Sequence, residues 1–270
     1  MTHEFDGEKY GQASDHQKEW GAKLIADLGL AGSERVLDLG CGDGALTAQI
    51  ADLLPAGEVV GIDASQGMID AAHANERANL RFKLMDIDAL EFADRSDIGH
   101  RSDVASGFDV VFSNATLHWV KDHRRLYRNV HGVLRDGGRV RFNFAGDGNC
   151  SNFFRVVREA MALDQFAAPF ADYEWPWYMP AVEEYSALVE STGLRHARVW
   201  GENADRFFAD VATMVAWVDQ PSLVPLLAHL ADALAALFRE FVVSRMIEKT
   251  RQPDGRCFET FRRVNVSAIR

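Results

Sequence analysis

Asp38, Gly40, Gly42, Asp43 and Gly44 fall close together in the run Val36-Leu37-Asp38-Leu39-Gly40-Cys41-Gly42-Asp43-Gly44. Apolar residues precede the glycines, and a helical pattern from Ala45 to Leu54 follows them. The run therefore reads as a buried strand, a tight turn and the start of a helix. Glycines at such a turn let the chain reverse sharply and let a ligand touch bare backbone. Asp63 closes the next apolar run, Val59-Val60-Gly61-Ile62, roughly 20 residues on, where one carboxylate can accept both hydroxyls of a ribose. Asp86 closes a third run, Leu80 to Met85, where a carboxylate can accept the exocyclic amine of adenine.

Two ligands compete for this constellation. Gly40-x-Gly42-x-x-Ala45 satisfies the dinucleotide fingerprint, so the glycines alone leave a nicotinamide-dependent oxidoreductase open. The carboxylates argue the other way. Asp38 stands two residues before the first glycine and Asp43 inside the loop. Both would repel a pyrophosphate and suit a cation. S-adenosylmethionine carries a sulfonium and an ammonium and no phosphate.

The elements that must position these residues alternate. Helical spacing runs from Ser14 to Leu30, Ala45 to Leu54, Gln66 to Asn75 and Arg124 to Leu134. Strand-like runs are Arg35 to Leu39, Val59 to Asp63, Leu80 to Met85, Phe108 to Phe112 and Arg139 to Phe144. Such alternation predicts an α/β fold, a doubly wound parallel sheet with helices on both faces. The polar stretch Asp94 to Gly107 reads as an exposed loop. The second half is helical from Asn152 to Phe166, from Ala181 to Ser191, and from Val211 to Lys249, the last split around Pro221 and Pro225. Leu194 to Trp200 and Cys257 to Ile269 predict a sixth and a seventh strand.

On these motifs the chain resembles the class I S-adenosylmethionine-dependent methyltransferases. Asp38 to Gly44 is similar to their glycine motif, Val60-Gly61-Ile62-Asp63 to the ribose motif and Met85-Asp86-Ile87 to the adenine motif. Phe108 to Asn114 and Leu134-Arg135-Asp136-Gly137-Gly138 look like the later motifs. Tyr10, the run Ser14-Asp15-His16-Gln17 and the run Leu117-His118-Trp119 are closer to the trans-aconitate and juvenile hormone acid methyltransferases. The resemblance implies a seven-stranded, mostly parallel Rossmann-like sheet with its last strand antiparallel, and a helical lid. It implies a cofactor core over 1–145, a lid over 146–193 and 201–252, and closing strands over 194–200 and 253–270. It implies cofactor contacts from Asp38, Gly40, Gly42, Asp63, Ala64, Met68, Asp86, Ile87 and Asn114, with Tyr10 and Gln17 closing over from the N-terminal segment, and no metal. His118 and Trp119 are the catalytic candidates, facing the crevice beyond the fourth strand. The implied reaction is O-methylation of a small carboxylic acid such as trans-aconitate, with N- or C-methylation of a small molecule as the alternative.

A carboxylate nucleophile is ionised at neutral pH and needs no general base, whereas a phenol, amine or carbon nucleophile can require one. Trp175, Trp177 and Tyr178 could line an apolar pocket, pack a lid or form an interface. Arg239 and Arg245 could reach an anionic substrate, though surface positions are the plainer expectation.

Composition sets the remaining bounds. The chain has 270 residues, and 47 % of them are hydrophobic, enough for a sizeable core. Its 40 acidic and 29 basic residues give a formal charge of −11, which disfavours a nucleic-acid partner. The short basic runs His123-Arg124-Arg125 and Arg262-Arg263 read as solvated surface. Three dispersed cysteines, a polar N-terminus and the lack of a long apolar run point to a reducing, cytoplasmic setting without a membrane span.

Overall fold

The computed structural model describes Glu4, residues 15–90 and residues 107–270, without the side chains of residues 15–18 and Pro221. Among the described residues, seven strands form one sheet in the order β3-β2-β1-β4-β5-β9-β6. These are β1 (Arg35–Leu39), β2 (Glu58–Asp63), β3 (Leu80–Leu84), β4 (Phe108–Asn114), β5 (Leu134–Ala145), β6 (Arg195–Asn203) and β9 (Arg262–Ile269). β1 pairs in parallel with β2 and β4, β2 with β3, and β4 with β5. Gly137 N–H donates to Arg270 O and Arg270 N–H to Gly138 O, while Asn143 Nδ2 donates to Asn265 Oδ1. The end of β9 thus lies beside the beginning of β5, and β9 runs antiparallel to it.

Both faces of the sheet are covered, which is why β1 is buried at every residue. On one face Val36, Val59, Phe82, Val110 and Phe112 pack with Leu24, Ile25 and Ile50 from helices α1 (Asp15–Ala26) and α2 (Ala45–Asp52), and with Ile69 from α3 (Gln66–Ala72). On the other face Leu37, Leu39, Val60, Val111 and Phe142 meet Leu126, Tyr127 and Val130 of α4 (His123–Val133). A β-carbon on Gly21 would come within 2.2 Å of Leu46, so α1 and α2 touch where one of them has no side chain.

The chain divides into two compact units. One takes the described residues of Met1–Gly146 with Trp177–Gly201 and Val264–Arg270; the other takes Asp147–Pro176 and Glu202–Arg263. The lid ranges read from sequence, 146–193 and 201–252, differ from this division. Helix α7 (Val182–Glu190) belongs to the sheet unit, because its Tyr185 and Val189 are buried among the same core residues as Phe142 and Phe144. The second unit holds α5 (Ser151–Met161), α6 (Asp164–Ala167), β7 (Arg206–Phe208), α8 (Val211–Trp217), α9 (Val224–Leu227), α10 (Asp232–Thr250) and β8 (Cys257–Glu259).

Several expected elements are subdivided. The single C-terminal strand is two: β8 pairs antiparallel with β7 in a separate two-stranded sheet, and β9 alone joins the main sheet. The long helical stretch from Val211 breaks at Gln220 (φ −145, ψ 114), since the residue before Pro221 is forced out of helical geometry. Pro225 then sits in the first turn of α9. The apolar stripe on α10 is correspondingly Phe238, Val242, Met246 and Thr250, with Leu237 exposed. Asp136-Gly137-Gly138, which follows the helix expected to end at Leu134, is an irregularity inside β5, between the pairs Phe108↔Leu134 and Val110↔Arg139. The loop expected from Asp94 lies, apart from Gly107, outside the described residues.

A carboxylate anchors the second unit. Buried Glu259 accepts the backbone N–H groups of Asn152 (3.1 Å) and Phe153 (2.9 Å) in the first turn of α5, and of Thr260 (2.8 Å). Those helix-end donors have no intrahelical partner. Glu259→Ala is expected to lower stability by about 1–3 kcal/mol, read as a shifted urea midpoint, because it strands two helix-end donors, the Phe153 one buried. An unchanged midpoint would contradict the anchor.

Candidate active site

The turn after β1 is held from two sides. Gly40 N–H (2.8 Å) and Cys41 N–H (2.9 Å) both donate to Ile62 O at the end of β2. From the other side, Ser113 Oγ donates to Leu39 O (2.8 Å) and Thr116 Oγ1 donates to Gly40 O (3.1 Å). Gly40 has φ +73, and a β-carbon there would lie 2.1 Å from the Thr116 side chain. The first glycine is thus required both by its left-handed conformation and by the threonine pressed against it. Gly44, at φ +77, faces the Phe82 ring, which a β-carbon would meet at 2.6 Å.

Asp63 ties the turn to the next loop. Its Oδ2 accepts Gly42 N–H (3.0 Å) and its Oδ1 accepts Ser65 N–H (3.0 Å). Burial raises its pKa, against the pull of those backbone donors. Ala64 follows it, and Met68 is buried in the first turn of α3, its N–H donating to Ser65 Oγ (3.4 Å). Asp38 is only 2 % exposed and accepts Thr47 Oγ1–H at 2.7 Å. Burial, with the Asp63 charge adding to it, pushes the Asp38 carboxyl up to about 7, against the Thr47 hydrogen bond. The Cys41 thiol is driven well above its usual range, first by burial and then by the charges of Asp63, Asp38 and Asp43. That thiol is a packing group and not a nucleophile.

Asp43 and Asp86 do local structural work. Asp43 Oδ1 accepts Ala45 N–H (3.2 Å) at the start of α2. Asp86 Oδ1 accepts Asp88 N–H (2.9 Å) and caps a short turn, Ile87–Ala89, in which Ile87 is buried. Met85 N–H donates to Asp63 O (2.8 Å), so the Asp86 turn begins beside the end of β2.

Beyond β4 the chain makes a second tight feature. Buried Asn114 is in register with Asn143 of β5. Ala115 is left-handed at φ 59, a conformation costing a non-glycine residue roughly 1–2 kcal/mol, and its N–H donates to Asn143 O (2.7 Å). The 3-10 turn Leu117–Trp119 follows, with the His118 and Trp119 rings 5.6 Å apart. Trp177 packs on Trp119 at 5.4 Å, and Tyr178 N–H donates to His118 O at 2.8 Å. Trp175, two residues earlier in sequence, belongs to the other unit and packs on Phe154 and Arg158. The aromatic run is therefore not one cluster.

The structure ties Gly40, Gly42, Asp63 and Thr116 into one bonded group, with Asp38 buried two residues before Gly40 and held by Thr47. Tyr10 and the side chain of Gln17 lie outside the described residues. From the N-terminal segment it is Glu4 that is placed: it accepts Gly67 N–H (2.7 Å), Ser65 Oγ–H (2.9 Å) and Gln66 N–H (3.3 Å) at the start of α3. Those donors, Gly67 foremost, hold its pKa below the ordinary glutamate value. Nothing in sequence singled out Glu4 or Thr116, since neither belongs to a periodic or glycine pattern. Arg239 and Arg245 are spoken for. Arg239 is bidentate to Asp219 (2.7 and 2.6 Å), and Arg245 pairs with Glu159 (3.0 Å) and Glu248. His123 is buried and not solvated surface.

The segments 37–45, 62–68 and 84–89 contain no lysine, arginine or histidine. A glycine turn whose flanking segments carry carboxylates and no cation is a poor cradle for phosphate and a fitting one for a cationic nucleoside. A methyltransferase domain profile matches residues 37–140, which span these features. An uncharacterised methyltransferase of Schizosaccharomyces pombe is 30 % identical over 97 % of this chain and 98 % of its own length. The chain belongs to the class I S-adenosylmethionine-dependent methyltransferases. A trans-aconitate 2-methyltransferase of Variovorax paradoxus is 30 % identical over 86 % of this chain and 85 % of its own. Phosphoethanolamine N-methyltransferase 2 of Haemonchus contortus, solved with S-adenosyl-L-methionine, shares the fold at a TM-score of 0.59 and 18 % identity, over 98 % of this chain and 56 % of that one. The cofactor of this methyltransferase is S-adenosylmethionine.

Gly40→Ala is expected to cost the methyltransferase at least about tenfold in S-adenosylhomocysteine affinity, since about 1.4 kcal/mol is tenfold and both strain and clash act. Thr116→Gly alone should cost less, and the double variant should recover part of the loss, because with the Thr116 Cβ, Oγ1 and Cγ2 gone only the left-handed strain remains. Strict additivity in calorimetric titrations would contradict the contact.

Proposed function

We propose that this methyltransferase O-methylates a carboxylate of a small organic acid. The observation that carries the reading is the Leu117–Trp119 turn, which sets two hydrogen-bonding side chains, the His118 imidazole and the Trp119 indole, directly beyond β4. Ring N–H donors can orient a carboxylate, which is already ionised and nucleophilic. The paired states of Arg239 and Arg245 fit the same picture. Relatives named trans-aconitate 2-methyltransferase, similar over most of the chain, make that acid the first acceptor to try.

When bound, S-adenosylmethionine supplies an electrophilic methyl group on a sulfonium leaving group. Asp63, already fixed by Gly42 and Ser65, keeps lone pairs for ribose hydroxyls. Asp38 supplies the negative charge under the turn, Asp86 and Ile87 flank the adenine side, and Gly40 and Gly42 let the backbone come close. Ala64, Met68 and Asn114 shape the rest of the cofactor cleft. His118 and Trp119 hold the acceptor oxygen in line, and such positioning can lower a barrier by roughly 7–11 kcal/mol. No proton has to be removed from an ionised acid. The acceptor is a small molecule, in keeping with the −11 formal charge.

An S-adenosylhomocysteine-release assay over carboxylic acids, phenols and amines tests the reading. An acid, trans-aconitate first, is expected to lead in kcat/KM by at least about a hundredfold, the discrimination a site built for one polar group can reach. Preference for an amine or phenol would overturn it.

Asp38 gives the cofactor site a pH signature. Its carboxyl is half protonated near pH 7, from about 3.8 unfolded. Its contribution to folding stability therefore falls as pH rises from about 4 to 7, because the folded state holds the proton longer. A cationic ligand favours the ionised form, so S-adenosylmethionine affinity should rise up to about tenfold per unit below pH 7 and level off above it. Asp38→Asn should flatten that profile. An unaltered profile in the variant would remove Asp38 from the cofactor's surroundings.

A further inference from the structure

The turn carrying His118 and Trp119 is clamped by a buried polar chain with no place in the methyl-transfer chemistry. His123 Nε2 lies 3.0 Å from Leu117 O, and a carbonyl can only accept, so Nε2 carries the proton. Nδ1 then accepts from the Tyr185 hydroxyl at 2.7 Å. With that proton committed, Tyr185 receives its own hydrogen bond from the Tyr127 hydroxyl, 3.3 Å away. Three side chains from two helices thus fix one tautomer and aim one N–H at one carbonyl. All three are essentially buried, so none of these groups can turn to water instead. Burial drives the His123 pKa down to about 4, and the ring stays neutral at physiological pH.

The second carbonyl of the same turn is held separately, by Tyr178 N–H on His118 O at 2.8 Å. The Tyr178 ring packs on the His123 ring at 4.7 Å, so the two clamps touch. His123 also borders Phe144, near the end of β5, at 5.6 Å. The chain ends on a backbone carbonyl, which rules out proton relay and leaves geometry as its product.

We propose that His123, with Tyr185 and Tyr127 behind it, is the positioning residue of the acceptor site, setting where the Leu117–Trp119 turn presents His118 and Trp119. The proposal rests on the acceptor reading given above for that turn. The cofactor turn has its own ties, to Ile62, Ser113 and Thr116. Loss of the His123 clamp should therefore reach the acceptor and spare the cofactor.

The test uses the full-length enzyme and the variants His123→Leu, His123→Gln and Tyr185→Phe. Gln keeps an amide N–H at the Nε2 position; Leu removes it; Tyr185→Phe removes only the hydroxyl that holds Nδ1. Three readouts are taken: S-adenosylhomocysteine affinity, kcat and KM for the best acid, and amide hydrogen exchange over residues 116–120. In His123→Leu, affinity for the product nucleoside should stay within about threefold, kcat/KM for the acid should fall at least about thirtyfold, and exchange at Trp119 and Val120 should speed up as the local turn opens. Gln should restore most of the loss, and Tyr185→Phe should give a smaller loss of the same pattern. Should His123→Leu fail to fold, Tyr185→Phe carries the same comparison. Unchanged exchange and kcat/KM, or a parallel fall in nucleoside affinity, would overturn the proposal. Faster exchange in an enzyme that methylates no acid would retain the clamp and discard the acceptor reading.

Discussion

Negative charge is concentrated where β1 turns, and the rest of the molecule has to hold it there. A carboxyl moved from about 3.8 to about 7 is disfavoured as an ion by on the order of 4 kcal/mol. That is a sizeable part of the stability of a whole domain. Asp38 is nonetheless fixed in place, because every residue of its strand is buried and it is itself in register with Gly61 on one side and Phe112 on the other. The sheet offsets the cost through the apolar residues packed on its two faces. A ligand bearing positive charge relieves the same repulsion, which makes electrostatic relief part of the binding energy.

The sites for cofactor and acceptor share this scaffold but hang from different hooks. The glycine turn is bonded to β2 and to the Ser113–Thr116 segment. The Leu117–Trp119 turn is bonded to α4 and to Tyr178. Thr116 stands between them: its side chain fills the space a β-carbon on Gly40 would take, and its carbonyl accepts the Trp119 N–H at 2.9 Å. Thr116 thus touches both turns, while the bonds from Ile62 and Ser113 hold the cofactor turn whatever the Leu117–Trp119 turn does. The left-handed Ala115 just before it is strain of the kind that persists only where surrounding bonds fix the backbone.

What could be read from the sequence was whatever leaves a local mark. Glycines at a turn, a carboxylate at a strand end and alternation of apolar runs are visible because the cause lies within a few residues. The core strands and the helices between them follow from that pattern, with ends within a residue or two for β1 to β3 and further off elsewhere, β5 beginning five residues before Arg139, at Leu134. Hidden from it were contacts made across long separations: Thr116 on Gly40, Glu4 on the start of α3, and Tyr185 on His123. His123 sits in a basic run and reads as surface, yet its neighbours Arg124 and Arg125 point outward while it points in. The same limitation applies to Arg239 with Asp219 and to Arg245 with Glu159, pairs whose acids lie on other elements. The C-terminal strand was misjudged as one because alternation continues across Thr260 and Phe261, although the chain changes sheets there.

Side-by-side calorimetric titration of the full-length enzyme with S-adenosylmethionine and with NADH tests the electrostatic claim most directly. Micromolar binding of the sulfonium ligand, about −8 kcal/mol, with no detectable heat from the dinucleotide is the result expected of a turn ringed by carboxylates. Tighter binding of NADH would show that the turn accepts a pyrophosphate, and the account built on repulsion at Asp38, Asp43 and Asp63 would not stand.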